Sequence, residues 1–306
     1  MMCFTGILAQ TSAAPETHSQ LYYLVASLAY GIVEGLTEFL PVSSTAHLRI
    51  VEALTPGIAL DSGYWKMYSV VIQLGAILTV PLLFWNRIVT LLQSFPRGDT
   101  GRKTPLTHPL GLVILGFLVT AGPCYFADKY IGKNLESLWV IGGALLLGGI
   151  VMWVVDVMCS RPRINRMEEM GILDAIWIGA VQILSAVFPG TSRSMSTIAA
   201  GQVFGLSRAT ALEYSFFLSM PTMFAATGFK LLQTLLHRAK TAEAIAEYHA
   251  PPGQWLVLLV GFVVSFIVAW LVNRWFIHWV QKHGFVPFAV YRLLAGVGVL
   301  IWAWQS

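Results

Sequence analysis

The sequence predicts an all-α integral membrane protein: six transmembrane helices plus two re-entrant helix hairpins, arranged as inverted-topology repeats. Three observations carry this reading. Only 11% of the 306 residues are charged and 56% are hydrophobic, whereas soluble domains are about a quarter charged. Several apolar runs approach the roughly 20 residues that cross a hydrocarbon core. One segment, with polar residues set into apolar sequence, occurs twice. The first copy runs from Gly31 through Glu34, Glu38, Pro41, Ser43, Ser44 and Thr45 to His47. The second runs from Gly179 through Gln182, Pro189, Thr191, Ser192 and Arg193 to Ser194. Aligned without a gap, Gly31 falls on Gly179, Glu34 on Gln182, Pro41 on Pro189 and Ser44 on Ser192.

In chain order, the first hairpin is expected near 22–48, where an apolar helix meets Pro41 and a hydroxyl-rich turn. Crossings follow at 67–85, 110–126 and 138–155. Between the first two, 95–109 is rich in Pro, Gly and Thr and reads as turn or disorder. The second hairpin is expected near 171–200, then crossings at 209–229, 255–272 and 285–304. Broken backbone at membrane depth is tolerated only where protein or a wet cavity surrounds it. The polar insertion at 233–253 reads as a short amphipathic helix ending at Pro251 and Pro252. A second internal match aligns Gln73–Pro81 with Glu213–Pro221 and supports duplication. Repeat one is expected over about 22–126 and repeat two over about 171–272, inside a single domain of 22–306. Duplicated broken helices suggest a site at the repeat interface near mid-membrane.

Charge orients the chain. Arg87, Arg97, Arg102 and Lys103 fall in one loop, and Arg161, Arg163 and Arg166 in another two crossings later. They share a side, which the positive-inside rule makes the cytoplasm, and both termini are then outside. Lys129, Lys133, Lys230, Arg238 and Lys240 fall on the other side. Cys3, Cys124 and Cys159 form neither a metal pattern nor a disulfide framework. The polar N-terminus lacks a basic n-region, so a cleaved signal peptide is not expected. A modest net charge of +4 reflects basic loops and does not point to nucleic acid. Gly142, Gly143, Gly148 and Gly149 are expected to be packing residues, and Trp85, Trp139, Trp255 and Trp302 interface anchors.

Glu34 and Glu38, four apart, share one helix face. In a low dielectric they repel, so a proton, a divalent metal with oxygen ligands, or Arg193 must resolve the pair. Beyond Pro41, Ser43, Ser44 and Thr45 can cap a new helix. Its N-terminus offers free N–H groups and a favourable dipole to an anion. Ser44 with His47 could serve as nucleophile and general base; simple capping around a buried histidine is the competing reading. In the second copy, Gly190 gives a tight turn, and Thr191, Ser192 and Ser194 make an anion nest. Arg193 offers a bidentate fork to phosphoryl oxygens, with Thr197 one turn on. A purely structural ion pair is the alternative for Arg193, although such pairs are weak stabilisers.

These two segments resemble the paired signatures of the undecaprenyl pyrophosphate phosphatase family, the bacitracin-resistance type. Val70–Leu78 and Pro287–Arg292 also look like segments of that family, and the resemblance runs from about residue 22 to the end. It implies a bacterial cytoplasmic-membrane hydrolase of polyprenyl pyrophosphate with interdigitated inverted repeats and an active site facing the periplasm. It implies a divalent cation, Mg²⁺ or Ca²⁺, held by Glu34 and Glu38, and a catalytic set of Glu34, Glu38, Ser44, His47 and Arg193. Ser43, Thr45, Thr191, Ser192, Ser194, Thr197 and Arg292 fall in the phosphate-binding set. The partners are the lipid substrate and the bilayer, with a homodimer left open. The family carries Gly where this chain has Met195, and residues 1–21 look like an extension outside its pattern. A transporter or flippase of the same lipid is the alternative. An acid-phosphatase-like lipid phosphatase would need a histidine six residues after Arg193, where this chain has Ala199.

Overall fold

A computed structural model describes residues 18–60, 63–98, 101–127, 137–238 and 250–305. Expectations for most of the N-terminal extension, for Cys3, Lys129, Lys133 and Lys240, and for most of the helix at 233–253 lie outside the described residues. The helices are α1 (Gln20–Thr37), α2 (Ser44–Ala53), α3 (Gly63–Ile77), α4 (Thr79–Leu83), α5 (Trp85–Ser94) and α6 (Pro109–Ala127). They continue with α7 (Leu138–Met158), α8 (Ile172–Val187), α9 (Arg193–Val203), α10 (Arg208–Arg238), α11 (Gln254–His283) and α12 (Val286–Gln305). Among the described residues no strand forms beyond a single bridge between Ile164 and Leu206.

Polarity is arranged for a bilayer. Leu147, Met158, Leu259, Leu271, Leu294 and Ile301 face outward, while Ser27, Glu34, Glu38, Thr79, Asp156, Gln182 and Arg292 are buried. Apolar surface on this scale needs a nonaqueous surround. Among the described residues, five stretches are long and apolar enough to span: Gly63–Leu83, Pro109–Phe126, Leu138–Met158, Gln254–His283 and Val286–Gln305. The expected sixth crossing, 209–229, lies inside α10. Its apolar character is diluted by Glu213 and by Ser215, Ser219, Thr222 and Thr227, hydroxyls that this helix turns toward protein.

The packing is interleaved. Helix α1 lies against α11, α8 lies against α6, and α7 pairs with α12. The aligned glycines explain the first two contacts. A Cβ on Gly31 would sit 2.8 Å from the Gly261 carbonyl of α11, and one on Gly179 2.5 Å from the Gly116 carbonyl of α6. Helices α1 and α8 thus each meet their neighbour backbone to backbone, a use of small residues common in membranes. Of the α7 glycines, Gly142 and Gly149 pack against α12 and Gly148 against Arg292 and Met195, while Gly143 faces open space.

The second internal match also has a structural counterpart. Pro81 removes the N–H that would bond Ile77, and the helix breaks at Leu78 between α3 and α4. The Thr79 hydroxyl donates to the Ala76 carbonyl at 2.7 Å. Before Pro221, the Ser219 hydroxyl donates to the Phe216 carbonyl at 2.6 Å. In both copies a hydroxyl two residues before the proline satisfies a carbonyl five before it.

The basic loops meet at one end, as their spacing predicts. Arg87 on α5 pairs with Glu168 at 2.8 Å and Glu213 at 2.7 Å. Nearby, buried Asp156 at the end of α7 accepts from Arg208 Nε at 2.7 Å, Gln202 at 3.1 Å and the Phe285 N–H at 2.9 Å. That cluster ties α7, α9, α10 and α12 together.

Candidate active site

The site is where the breaks after α1 and α8 meet. In the first, α1 stops at Thr37, residues 38–42 turn, and Ser43 caps α2 with its hydroxyl accepting from Ala46 N–H at 3.4 Å. In the second, α8 stops at Val187 and Ser192 caps α9, accepting from Met195 N–H at 3.4 Å. Both caps have left-handed backbones, φ 74° at Ser43 and φ 72° at Ser192. Such a conformation costs a non-glycine residue roughly 1–3 kcal/mol and concentrates at functional sites.

These caps correct the ungapped alignment. Ser43 is two residues beyond Pro41, but Ser192 is three beyond Pro189. The extra residue is accommodated at Gly190, whose φ is +94° and whose added Cβ would lie 2.6 Å from the Ile141 carbonyl. Only glycine fits that turn. Ser43 therefore matches Ser192, and Ser44 matches Arg193: each is the first residue of its helix.

Ser44 and Arg193 converge on one carboxylate. The Ser44 hydroxyl donates to Glu38 Oε2 at 2.6 Å, and Arg193 Nη2 approaches Glu38 Oε1 at 3.4 Å. Arg193 Nη2 also lies 3.1 Å from Met223 Sδ, and the guanidinium stands over Phe39, 5.1 Å from the ring centroid. Its Nε and Nη1 are buried with no hydrogen-bond partner. Those two donors leave the guanidinium able to bind an oxyanion. One turn back, Glu34 is 1% exposed and its Oε2 is buried without a partner.

The remaining predicted residues divide. Thr45 is exposed, and Thr191 and Ser192 are half-buried at the turn surface. Ser194 donates to the Leu40 carbonyl at 2.9 Å and contacts Ser192 at 3.0 Å. Thr197 is held by Ser215 at 2.7 Å and by carbonyls of its own helix. Arg292 points to backbone carbonyls of both turns. His47 is not paired with Ser44: its Nδ1 donates to the Ser43 carbonyl at 2.7 Å, and its Nε2 faces the Tyr291 hydroxyl at 2.6 Å. Since a carbonyl can only accept, Nδ1 carries a proton, and Nε2 shares a hydrogen bond with the Tyr291 hydroxyl. The two rings stack with an 11° interplanar angle. Sequence reasoning missed Phe39, Met223 and Tyr291. The neighbour relation to Glu38 and to Arg292 was a signal for two of them; nothing marked Met223.

A metal would find only a partial cage. Among the described residues no three His, Cys, Asp or Glu side chains converge. The orphaned Glu34 oxygen beside Glu38 nevertheless fits a hard cation that takes one or two carboxylates and completes its shell with substrate phosphate and water.

Residues 27–298 match the family described as bacitracin resistance protein BacA. The chain is 57% identical over 282 residues to the undecaprenyl-diphosphatase of Koribacter versatilis (strain Ellin345), covering 92% of this chain and 98% of that one. It is 40% identical over 282 residues to the undecaprenyl-diphosphatase of Caldanaerobacter subterraneus subsp. tengcongensis, covering 90% and 95%. It is 38% identical over 284 residues to that of Acidovorax ebreus (strain TPSY), covering 92% and 96%.

Proposed function

This chain belongs to the bacitracin resistance protein BacA family, and from that premise we infer that it is an undecaprenyl-diphosphatase. It hydrolyses undecaprenyl pyrophosphate to undecaprenyl phosphate and inorganic phosphate, recycling the carrier for cell-wall synthesis and giving bacitracin resistance. The observation that carries a mechanism is the meeting of Ser44 and Arg193 on the two oxygens of Glu38.

In this mechanism Glu38 is the base. It takes the Ser44 proton as Oγ attacks the terminal phosphorus; the Oγ–P bond forms and the bond from that phosphorus to the bridging oxygen breaks. Undecaprenyl phosphate leaves as an anion. Water then attacks the seryl phosphorus: the water oxygen–P bond forms, the Oγ–P bond breaks, Ser44 Oγ takes back the proton held by Glu38, and inorganic phosphate leaves with the protons of the water. Arg193, with its idle Nε and Nη1, stabilises charge spreading over the transferred oxygens, and Thr191, Ser192 and the free helix N-termini add donors. His47, engaged by Ser43 and Tyr291, supports the turn. Glu34 and Glu38 would hold Mg²⁺ or Ca²⁺, which when bound neutralises phosphate charge.

The finer architecture follows this reading: α1–α2 and α8–α9 are re-entrant, α10 is the sixth crossing, and the repeats are inverted. The chain sits in the bacterial cytoplasmic membrane, with a pocket open laterally for the prenyl tail and facing the periplasm. Purified protein in detergent, with no gradient, should release phosphate from undecaprenyl pyrophosphate, and Ser44→Ala should lose at least about 10³-fold in kcat. Absence of release from the folded wild type would favour the flippase reading. A fully active Ser44→Ala would remove the serine from the chemistry.

A further inference from the structure

Arg292 is 0% exposed, and burying a guanidinium with no carboxylate to meet it is costly. Its partners are all backbone carbonyls. Nη1 donates to Pro41 at 3.1 Å; Nη2 donates to Ala144 at 3.0 Å and Gly190 at 3.1 Å. Pro41 lies in the first break and Gly190 in the second, 149 residues apart in sequence; Ala144 lies on α7 between them.

The reason for such an arrangement is the break itself. A helix interrupted at membrane depth leaves carbonyls that no water reaches, and each needs a donor from the protein. An arginine fork can serve several carbonyls at once in fixed geometry, which a lysine ammonium does not match. Ser44 and Arg193 each begin within three residues of a carbonyl held by Arg292. We propose that Arg292 is a positioning residue that clamps the two turns at a fixed separation, so that Ser44, Glu38 and Arg193 meet, and that it does not bind the substrate phosphate. This rests on the phosphatase reading for its kinetic consequences but not for its geometry.

Gly148 on α7 is the seat of the clamp. A Cβ there would overlap Arg292 Nη2 and lie 2.7 Å from Met195 Cε and 2.9 Å from Arg292 Cζ. Met195 Cε reaches the same point as the guanidinium and so packs at this seat. Gly148→Ala therefore disturbs the clamp without altering any charge.

The test compares wild type, Arg292→Lys, Gly148→Ala and the double variant, each retained only as a monodisperse folded species in detergent. The assay uses undecaprenyl pyrophosphate as substrate and inorganic phosphate as inhibitor. A misplaced catalytic group costs about 10²-fold in rate; Arg292→Lys and Gly148→Ala should each approach that loss in kcat. KM and the inhibition constant of phosphate should stay within about twofold, and the double variant should be no worse than the poorer single, because both remove one device. A loss confined to KM or to phosphate inhibition would give the idle Arg292 Nε–H to the substrate and overturn the proposal. So would a fully active Gly148→Ala.

A second readout needs no activity. Spin labels on Thr45→Cys and Phe188→Cys, one on each side of the breaks, should give a narrow distance distribution with Arg292 present and a broad one in Arg292→Lys and Gly148→Ala. Unchanged distributions would overturn the clamp even if the chemistry were misassigned. Broad distributions in a protein whose parent releases no phosphate would keep the clamp and sink the phosphatase reading.

Discussion

Where α1 carries Glu34, α8 carries Gln182; both side chains are buried, and they differ in the donors they bring. Gln182 donates through Nε2 to Thr120 at 3.3 Å and to Thr222 at 3.3 Å, tying α8 to α6 and α10. Gln182 Oε1 and Glu34 Oε2 are each buried without a hydrogen-bond partner, but only the glutamine has a donor that ties neighbouring helices together. A turn later, Glu38 receives Ser44 and Arg193, while the matching Ala186 offers no polar atom. The two breaks share a backbone plan, including a left-handed serine cap in each, but differ in the side chains they carry; the proposed mechanism divides the chemistry between them. One supplies acid and hydroxyl; the other supplies the cation. Each break starts a new helix, and the residue placed first on it is Ser44 in one and Arg193 in the other.

The sharpest way to break this division is to test the cationic half. Lysine cannot reproduce a bidentate phosphoryl contact, so Arg193→Lys should cost about 2–4 kcal/mol of transition-state stabilisation, the scale of one lost oxyanion donor. Arg193→Ala should be nearly inactive yet folded. If Arg193→Ala stays active and only melts lower, the arginine is a structural partner of Glu38 and the division fails.

The Glu34 and Gln182 pair sharpens the comparison. Glu34→Gln should lower phosphate release by about 10–100-fold, as loss of a group supporting a metal does, and should shift the dependence on added Mg²⁺ or Ca²⁺. Gln182→Leu should leave kcat nearly unchanged and cost about 1 kcal/mol of stability, the net value of its hydrogen bonds. Full wild-type activity in chelator would take the cation out of the mechanism. A strong kcat loss in Gln182→Leu would show that both hairpins carry chemistry at this position.

Away from the breaks, charge should matter least. Burial opposes ionisation of Glu168, but hydrogen bonds and the charge of Arg87 outweigh it and hold its carboxyl below the usual range. A depressed carboxylate adds stability above its unfolded pKa and loses that contribution as pH falls through the folded value. Arg87→Gln should therefore cost about 0–1 kcal/mol at neutral pH, since the pair is partly exposed. Its Tm deficit should shrink below about pH 4. A deficit that grows in acid would contradict this sign.

Much of this was legible in the sequence because it followed from spacing. Proline, the hydroxyl runs and the aligned glycines marked both helix breaks, and Gln73–Pro81 against Glu213–Pro221 marked two helices with the same hydroxyl-and-proline pattern. What was not legible depended on partners distant in sequence. Gly190 adds a residue to the second turn, which shifts Ser192 from the match of Ser44 to the match of Ser43. His47 looked like the natural base for Ser44, but the helix turns its ring toward Tyr291, 244 residues later. Arg292 falls in the phosphate-binding set through the family resemblance; no sequence rule reveals that three carbonyls face it. The α10 crossing was drawn from apolar content alone, without the hydroxyl stripe it turns inward.

The central claim is that the two breaks form one site through Glu38. A double-mutant cycle on phosphate release tests it most directly, using wild type, Glu38→Gln, Arg193→Lys and the double variant, all assayed well below their melting temperatures. One shared site predicts strong coupling: the double variant should be far less impaired than the product of the single losses, with an interaction energy within about 0.5–3 kcal/mol. Losses that simply multiply would mean that Glu38 and Arg193 act independently, and the account would be wrong.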